Sequence, residues 1–503
     1  MILPFSIFLI CVTSQTAALD FIRQQFEVID QFSDPCDNFY RHACPVGDYE
    51  WLLEEFYGPV LNEYKQEQKD RVWENLEFKK SLDGVKIAEI PATLGENIVH
   101  YFETLCEAGS DTKVFLLKVE KVLSRGKECD ERGCLSPLAG DLNCTRAASD
   151  LTQRIHLNGM LQSWSSSLIA FLKTEFDLSM DSIRSINAIL DADLRGGVAL
   201  IKEFTRAMIE SLVEKIKETP WVQRQGVEAA IETVANKIQL GDNFGLELRD
   251  HIEHVMTIET DFLKCLKDIP GQDFLCLLFA AMNVKKMKEI HFPSFINAQN
   301  DHPTILFGLP LFDLAQNVEE MAAKLGVVGM VTGHEISHSL IEDPNRQDLL
   351  PVFSQEATQC IQNQFNNTCT EFVEESCYVA DHQIDENGSD ILGLQLAYEL
   401  FETYYRDTAQ DEYVRLNHIS ITYQQLFFYA NAFFFCEGTP GKADSHDTHS
   451  IFGIRANVVA QHPAFKEAFN CSADSRMMQS VEKQCLIYGE DAPETRRKFR
   501  PSH

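Results

Sequence analysis

The chain has 503 residues, 45% of them hydrophobic, with 76 acidic against 44 basic side chains and a formal net charge of −32. That is ample chain for roughly two to four domains, each with its own core. An acidic excess spread along the sequence, rather than held in a tail, argues against nucleic acid or an anionic membrane surface as partner.

Residues 2–13 form an apolar run too short to span a bilayer, and Thr16, Ala17 and Ala18 follow it in the manner of a cleavage site. Residues 1–18 therefore read as a secretory signal and the product as a secreted, extracellular protein. No later segment approaches about eighteen uninterrupted apolar residues, so no transmembrane anchor is expected after signal removal. Loss of Cys11 with the signal leaves fourteen of the 15 cysteines, an even number that reads as disulfides in an oxidising compartment. Sequons begin at Asn143, Asn366, Asn387 and Asn470.

Cys36 and Cys44 bracket a short aromatic segment. Eight residues apart, they are spaced either to pair with each other or to tie the N-terminus to distant parts of the fold. From about Trp51 to Val122, and again through roughly 150–260, apolar residues recur at helical spacing. Residues 125–148, with Cys129, Cys134 and Cys144 among glycines and Pro137, interrupt that pattern as a stapled loop. Between His291 and Phe312 short extended segments are expected, over Phe292–Ala298 and Thr304–Gly308. An edge strand there is where a peptide could add itself as a further strand, though an ordinary hairpin reads the same way.

The stretch Gly333-His334-Glu335-Ile336-Ser337-His338 carries the chemistry. Two histidines four apart share one helix face, so both imidazoles reach one metal ion. Glu335 lies between them, beside the metal without binding it, as a general base must. Glu386 and Asp390 are again four apart, on a segment continuing as apolar Ile391–Tyr398. One supplies a third ligand while the other accepts the free N–H of a ligand histidine and fixes its tautomer. Asn387 adjoins that ligand, which sets its sequon against glycosylation. Residues 426–436 read as an aromatic core helix, one of whose rings could line a pocket. His449 and Arg455 offer an imidazole and a guanidinium for a developing oxyanion or a substrate carbonyl.

These motifs together resemble the neprilysin and endothelin-converting-enzyme family of zinc endopeptidases. Gly329–His338 matches its Gly-Met-Val-x-Gly-His-Glu-Ile-x-His; Glu386, Asn387, Asp390, Gly393, Ala397 and Tyr398 match its Glu-Asn-x-x-Asp helix; Asp447, His449, Ser450 and Arg455 match its Asp-x-His-Ser and nearby arginine. Asn297-Ala298 and the segment Pro35–Cys44 match as well. The resemblance implies a mainly α, two-lobed protein with a thermolysin-like zincin domain and a small β element. It makes His334, His338 and Glu386 the ligands of one Zn2+ per chain, Glu335 the base, Asp390 the partner of a ligand histidine and His449 the transition-state group. Arg455, Asn297 and Ala298 would bind a peptide substrate. It also implies the pairs Cys36–Cys471, Cys44–Cys436 and Cys360–Cys485. The chain departs from the pattern in four places: Gln299-Asn300 stand where two aromatics are usual, Ser339 for a glycine, and Ile451 for a proline. No arginine lies between Cys44 and Arg71, so none is placed to grip a substrate's C-terminal carboxylate. Family members are typically longer, and a reduced helical lobe is expected, opening the cleft to longer polypeptides.

The resulting domain plan is a signal at 1–18, a disulfide-tied segment at 19–50 and a helical substrate-restricting lobe at 51–285. A metallopeptidase domain at 286–488 and a basic tail at 489–503 complete it. The expected function is hydrolysis of internal bonds in extracellular peptides; the alternative is a secreted peptide-binding protein of the same fold that has lost turnover.

Overall fold

A computed structural model describes residues 21–27, 29–44, 51–59, 172, 194–225, 228–242, 257–268, 276–277, 280, 296–301, 303–341, 353–373, 379–406, 413–416, 419–438 and 447–492. The signal segment, the loop at 125–148, the Asn143 sequon, most of the lobe at 51–285 and the tail beyond Ala492 lie outside them. The chain divides into two compact units: Met1–Asn62, Ala188–Asp242 and Phe292–His503 in one, Glu63–Asn187 and Asn243–His291 in the other. In the second unit residues 257–268 are helical, and a Cys265–Cys276 disulfide staples the segment that follows.

The first unit is mainly helical. Its N-terminal segment carries α1 (Phe39–Ala43), capped by the Asn38 side chain, which accepts from the Arg41 N–H. α2 (Arg195–Glu218) has apolar residues at Ile201, Phe204, Met208, Leu212 and Ile216, one stripe that is wholly buried. The two glycine N–H groups of its first turn, at Gly196 and Gly197, donate to Gln316 Oε1 at 2.9 and 3.2 Å. Periodicity alone assigns this helix to the lobe of 51–285, whereas in the structure residues 188–242 belong to the unit that holds the histidine motif. An apolar stripe announces that a helix face is covered, not what covers it.

β1 (Gln239–Leu240), β2 (Ala298–Asp301) and β3 (Thr304–Phe307) form a sheet of order β1-β3-β2. β3 runs parallel to β1 and antiparallel to β2, with Ala298 opposite Phe307, so β2 is an edge among the described residues. Its exposed pattern, half-buried alternating with exposed, contrasts with the buried β3 beside it. α3 (Leu309–Asn317) follows and packs along α2. A π-helical turn at Leu325–Gly329 leads directly into α4 (Met330–Ile341), which carries the histidine motif. α5 (Gln355–Phe372) begins at Ser354, whose hydroxyl accepts from Ala357 N. α6 (Ile384–Tyr405), buried almost all round along its first four turns, packs along α4 more extensively than any other helix pair among the described residues.

A hairpin of β4 (Tyr413–Leu416) and β5 (Ile419–Thr422) leads to α7 (Tyr423–Phe434), which opens with a capping box between Thr422 and Gln425. Leu426, Phe427, Phe428 and Phe433 of α7 are fully buried, each worth about 2–3 kcal/mol on removal from water. α8 (Phe452–Asn457) completes the set around the site. The N-terminal segment is built into this core. Phe39 packs against Tyr429, Phe465 and Phe469, Tyr40 N donates to Asn457 Oδ1, and His42 Nε2 lies 2.7 Å from the Tyr429 hydroxyl. Cys36–Cys471, Cys44–Cys436 and Cys360–Cys485 are bonded as the resemblance implied, so Cys36 and Cys44 do not pair with each other. Among the described residues no helix is long and apolar enough to cross a membrane.

One half-buried histidine makes stability depend on pH. Burial lowers the pKa of His462 from 6.5 to about 4; its ring lies against Tyr398, and its Nδ1 accepts from Ala464 N. The unfolded chain takes up this proton below pH 6.5 and the folded chain only near 4. The contribution of the neutral ring is therefore intact above 6.5 and is lost as pH falls between those values, by about 3 kcal/mol in all. Urea denaturation at pH 7 and pH 5 should show a smaller loss for His462→Gln than for the wild type. Parallel profiles would remove His462 as the cause.

Candidate metal centre

Three donor atoms converge where α4 crosses α6. His334 Nε2 and His338 Nε2 are 3.0 Å apart, and each is 3.2 Å from Glu386 Oε2. All three residues are largely buried, and they form a group suited to holding a metal ion. The chemistry of this set fits zinc. Four ligands at about 2.0–2.1 Å in a tetrahedron stand about 3.3 Å from one another, close to the three separations here. Lone pairs facing one another inside a core also need a cation between them.

The tautomer of His334 follows from its other nitrogen. Nδ1 lies 3.0 Å from Asp390 Oδ1, a carboxylate that can only accept, so Nδ1 carries the hydrogen and Nε2 points its lone pair at the other two donors. Asp390 is itself gripped by Arg455, whose Nε and Nη2 donate to its two oxygens at 2.7 Å each, while the guanidinium lies 4.8 Å from the Phe435 ring centre.

The electrostatics record the same demand for positive charge. Burial pulls the His334 pKa down, but hydrogen bonds to Asp390 and Glu386, with the charges of Asp390 and Glu335, outweigh it and raise it to about 10. Burial pushes Glu386 up, yet hydrogen bonds from His334, His338 and His449 hold it well below the carboxylate range. Burial likewise opposes ionisation of Asp390, but the Arg455 charge and hydrogen bond, then His334, bring it to about 2. Without a metal, a proton on His334 is the cation that this cluster of acids collects.

Two glycines let the ligand helices approach this closely. A Cβ on Gly393 of α6 would stand 2.7 Å from His334 N and 2.8 Å from Met330 O, and one on Gly333 of α4 would stand 2.8 Å from Gly393 Cα. The obstructing atoms are backbone, which cannot swing aside. Gly393→Ala should force the helices apart at the ligands, costing about 1–3 kcal/mol in stability. Zinc affinity should fall at least about tenfold, the equivalent of 1.4 kcal/mol. Titration of metal-free protein with zinc, beside a denaturation curve, checks both. Unchanged affinity would mean that the crossing tolerates a methyl group.

A cleft of about 390 Å³ opens over the donors. Its walls include Glu335, Asn297 and Ala298 with the following β2 residues Gln299 and Asn300, then Phe434, His449 and Arg455. Asp390 is set behind His334, away from the cleft lining. His449 Nε2 lies 3.1 Å from Glu386 Oε2, on a segment held by Gln383 Nε2, which donates to the carbonyls of His449 and Asp447 at 2.7 and 3.0 Å. All nine residues singled out in the sequence thus belong to one neighbourhood. Sequence reading did not identify Gln383 as the brace of the His449 segment, nor which α7 aromatic meets the cleft; Phe434 does. Asn387 is 1% exposed and its Oδ1 accepts from Ser450 Oγ, so this sequon is closed to a glycan in the folded protein.

A family model described as peptidase family M13 matches residues 302–485. Membrane metallo-endopeptidase-like 1 of Mus musculus is 26% identical over 325 residues, covering 57% of this chain and 41% of the relative. Neprilysin of Homo sapiens is 30% identical over 181 residues, 32% of this chain and 23% of the relative. The chain spans less than half the length of these curated relatives. A zinc metalloprotease of Mycobacterium tuberculosis solved with an inhibitor aligns at a TM-score of 0.43 and 16% identity, covering 68% of this chain and 55% of that one.

Proposed function

We propose that the protein is a secreted zinc endopeptidase that hydrolyses internal bonds of extracellular peptides, a reading supported by the match of residues 302–485 to the model of peptidase family M13. The observation that carries this reading is the convergence of His334 Nε2, His338 Nε2 and Glu386 Oε2 at 3.0–3.2 Å, beside Glu335 and beneath an open cleft. His334, His338 and Glu386 would hold one zinc ion, which would supply acidification of a bound water and polarisation of a carbonyl.

The chain's own groups do the rest. Asp390, neutralised by Arg455, fixes the His334 ring so that Nε2 faces inward. Glu335 takes the proton from the attacking water and returns it to the leaving amine nitrogen as the C–N bond breaks. His449, at the mouth of the cleft, donates to the developing oxyanion, and Arg455 adds positive potential at the substrate carbonyl. A peptide lies along the free edge of β2, with Asn297 and the Ala298 backbone as polar anchors.

Metal analysis of purified protein, combined with cleavage of a mixed peptide library, tests the reading. We expect about one zinc per chain. Cleavage should be abolished by a chelator and restored by added zinc. Zinc-loaded protein that binds peptides and leaves them intact would establish the binding-protein alternative instead.

A further inference from the structure

Two of the residues at which the sequence departs from the family pattern touch each other. Asn300, on β2 where the pattern has an aromatic, donates from Nδ2 to the carbonyl oxygen of Glu335 and to Oγ of Ser339, at 2.6 Å each. Ser339, where the pattern has glycine, is fully buried. Glu335 and Ser339 are four apart on α4, so the asparagine amide clamps the single helical turn that presents both Glu335 and His338. The amide orientation is settled by its partners. The Glu335 carbonyl only accepts, so Nδ2 must face it, and the buried Oδ1 has no partner among the described residues. An aromatic residue at 300 would lack an amide that donates twice from one nitrogen, and glycine at 339 would lack the acceptor. Each departure supplies what the other requires.

We propose that Asn300 is a positioning residue that locks the substrate-bearing edge strand to the catalytic turn. Two bonds from one nitrogen fix the distance between β2 and the backbone of Glu335. A peptide laid along β2 then meets the Glu335 carboxylate at a set depth, because strand and base move as one body. In this chain the separation and angle are set by directional bonds. The role in turnover rests on the endopeptidase reading above, but the lock itself does not.

The test compares Asn300→Ala, Ser339→Ala, their double variant and Ser339→Thr in the full chain. Asn300→Ala should lower kcat about tenfold, the equivalent of one such bond, and leave KM within about twofold. Zinc content should be unchanged, and amide exchange across residues 335–341 should accelerate in zinc-free and zinc-loaded protein alike. Ser339→Ala should lose less, since the Glu335 bond survives, and the double variant should be no worse than Asn300→Ala. Ser339→Thr, which keeps the hydroxyl, should retain the wild-type kcat. A lowered melting midpoint with kcat, KM and local exchange unaltered would overturn the proposal by reducing Asn300 to a packing residue. So would strictly additive effects in the double variant. Should the wild type cleave no peptide, the endopeptidase reading fails; exchange at 335–341 then decides the lock, and unchanged exchange in Asn300→Ala overturns it.

Discussion

Glu335→Gln should abolish peptide hydrolysis, by about 10³-fold or more, while zinc remains bound at the wild-type level. The side chain lines the cleft and is buried, yet it stands outside the trio of atoms that converge on the metal position. The amide has nearly the same volume and leaves the packing of α4 undisturbed. What it lacks is a basic oxygen to take the water proton. Glu386→Gln should differ in kind. Its carboxylate faces three imidazoles, from His334, His338 and His449, and its negative charge offsets the cost of burying a dication. A carboxamide removes that charge, so zinc should be lost together with activity. Metal analysis and turnover on the same samples separate the two cases. Zinc lost in step with activity in Glu335→Gln would make Glu335 a ligand and undo the assignment of the base.

The site divides its acids between two cations. Arg455 is paired with Asp390 through two bonds at 2.7 Å, and Glu386 faces the histidines. A buried carboxylate without a cation is costly, and among the described residues the ion-pair partners of Glu386 are imidazoles. The raised pKa of His334 and the depressed pKa of Glu386 are two expressions of that imbalance. Metal binding resolves it without protonating a ligand.

Much of this centre was legible because its determinants are local. His334 and His338 share a face by helical arithmetic, and the same arithmetic places Glu386 with Asp390 and Glu335 with Ser339. The mainly α fold follows from long stretches of helical period. The contacts that sequence withheld join elements far apart in the chain. Residues 195–218 show a clear apolar stripe, yet nothing in them says that it docks within the unit carrying the histidine motif. Asn300 and Ser339 stood out only as departures from a pattern, because a strand-to-helix hydrogen bond leaves no periodic trace. Nor does spacing choose between a Cys36–Cys44 bridge and two long-range ones; only the resemblance did so.

Those two long-range bridges should be strongly non-additive. Cys36–Cys471 and Cys44–Cys436 close loops of 435 and 392 residues, but they lie side by side. While one is intact, the other closes only the stretches 36–44 and 436–471, about 43 residues, worth about 4 kcal/mol of chain entropy. Once one is gone, the survivor alone closes the long loop, worth about 6 kcal/mol. Removing either pair should therefore leave a folded protein with a lower urea midpoint. Removing both costs about 10 kcal/mol, comparable with the whole stability of a typical domain, and should leave no folded protein to purify. The single pairs should differ in activity. Cys436 follows Phe434, which lines the cleft, and Phe435, which lies under the Arg455 guanidinium. The backbone N–H of Leu52 also donates to the Cys436 carbonyl, so α7 ends in a braced position. Cys44→Ser/Cys436→Ser should consequently lose more turnover than Cys36→Ser/Cys471→Ser at equal stability, through freedom at Phe434 and Phe435. Urea midpoints and kcat for the two paired variants, with recovery of the fourfold variant, test the whole scheme. A folded fourfold variant with the midpoint of either pair would show that Phe39, packed among Tyr429, Phe465 and Phe469, holds the N-terminal segment without covalent help.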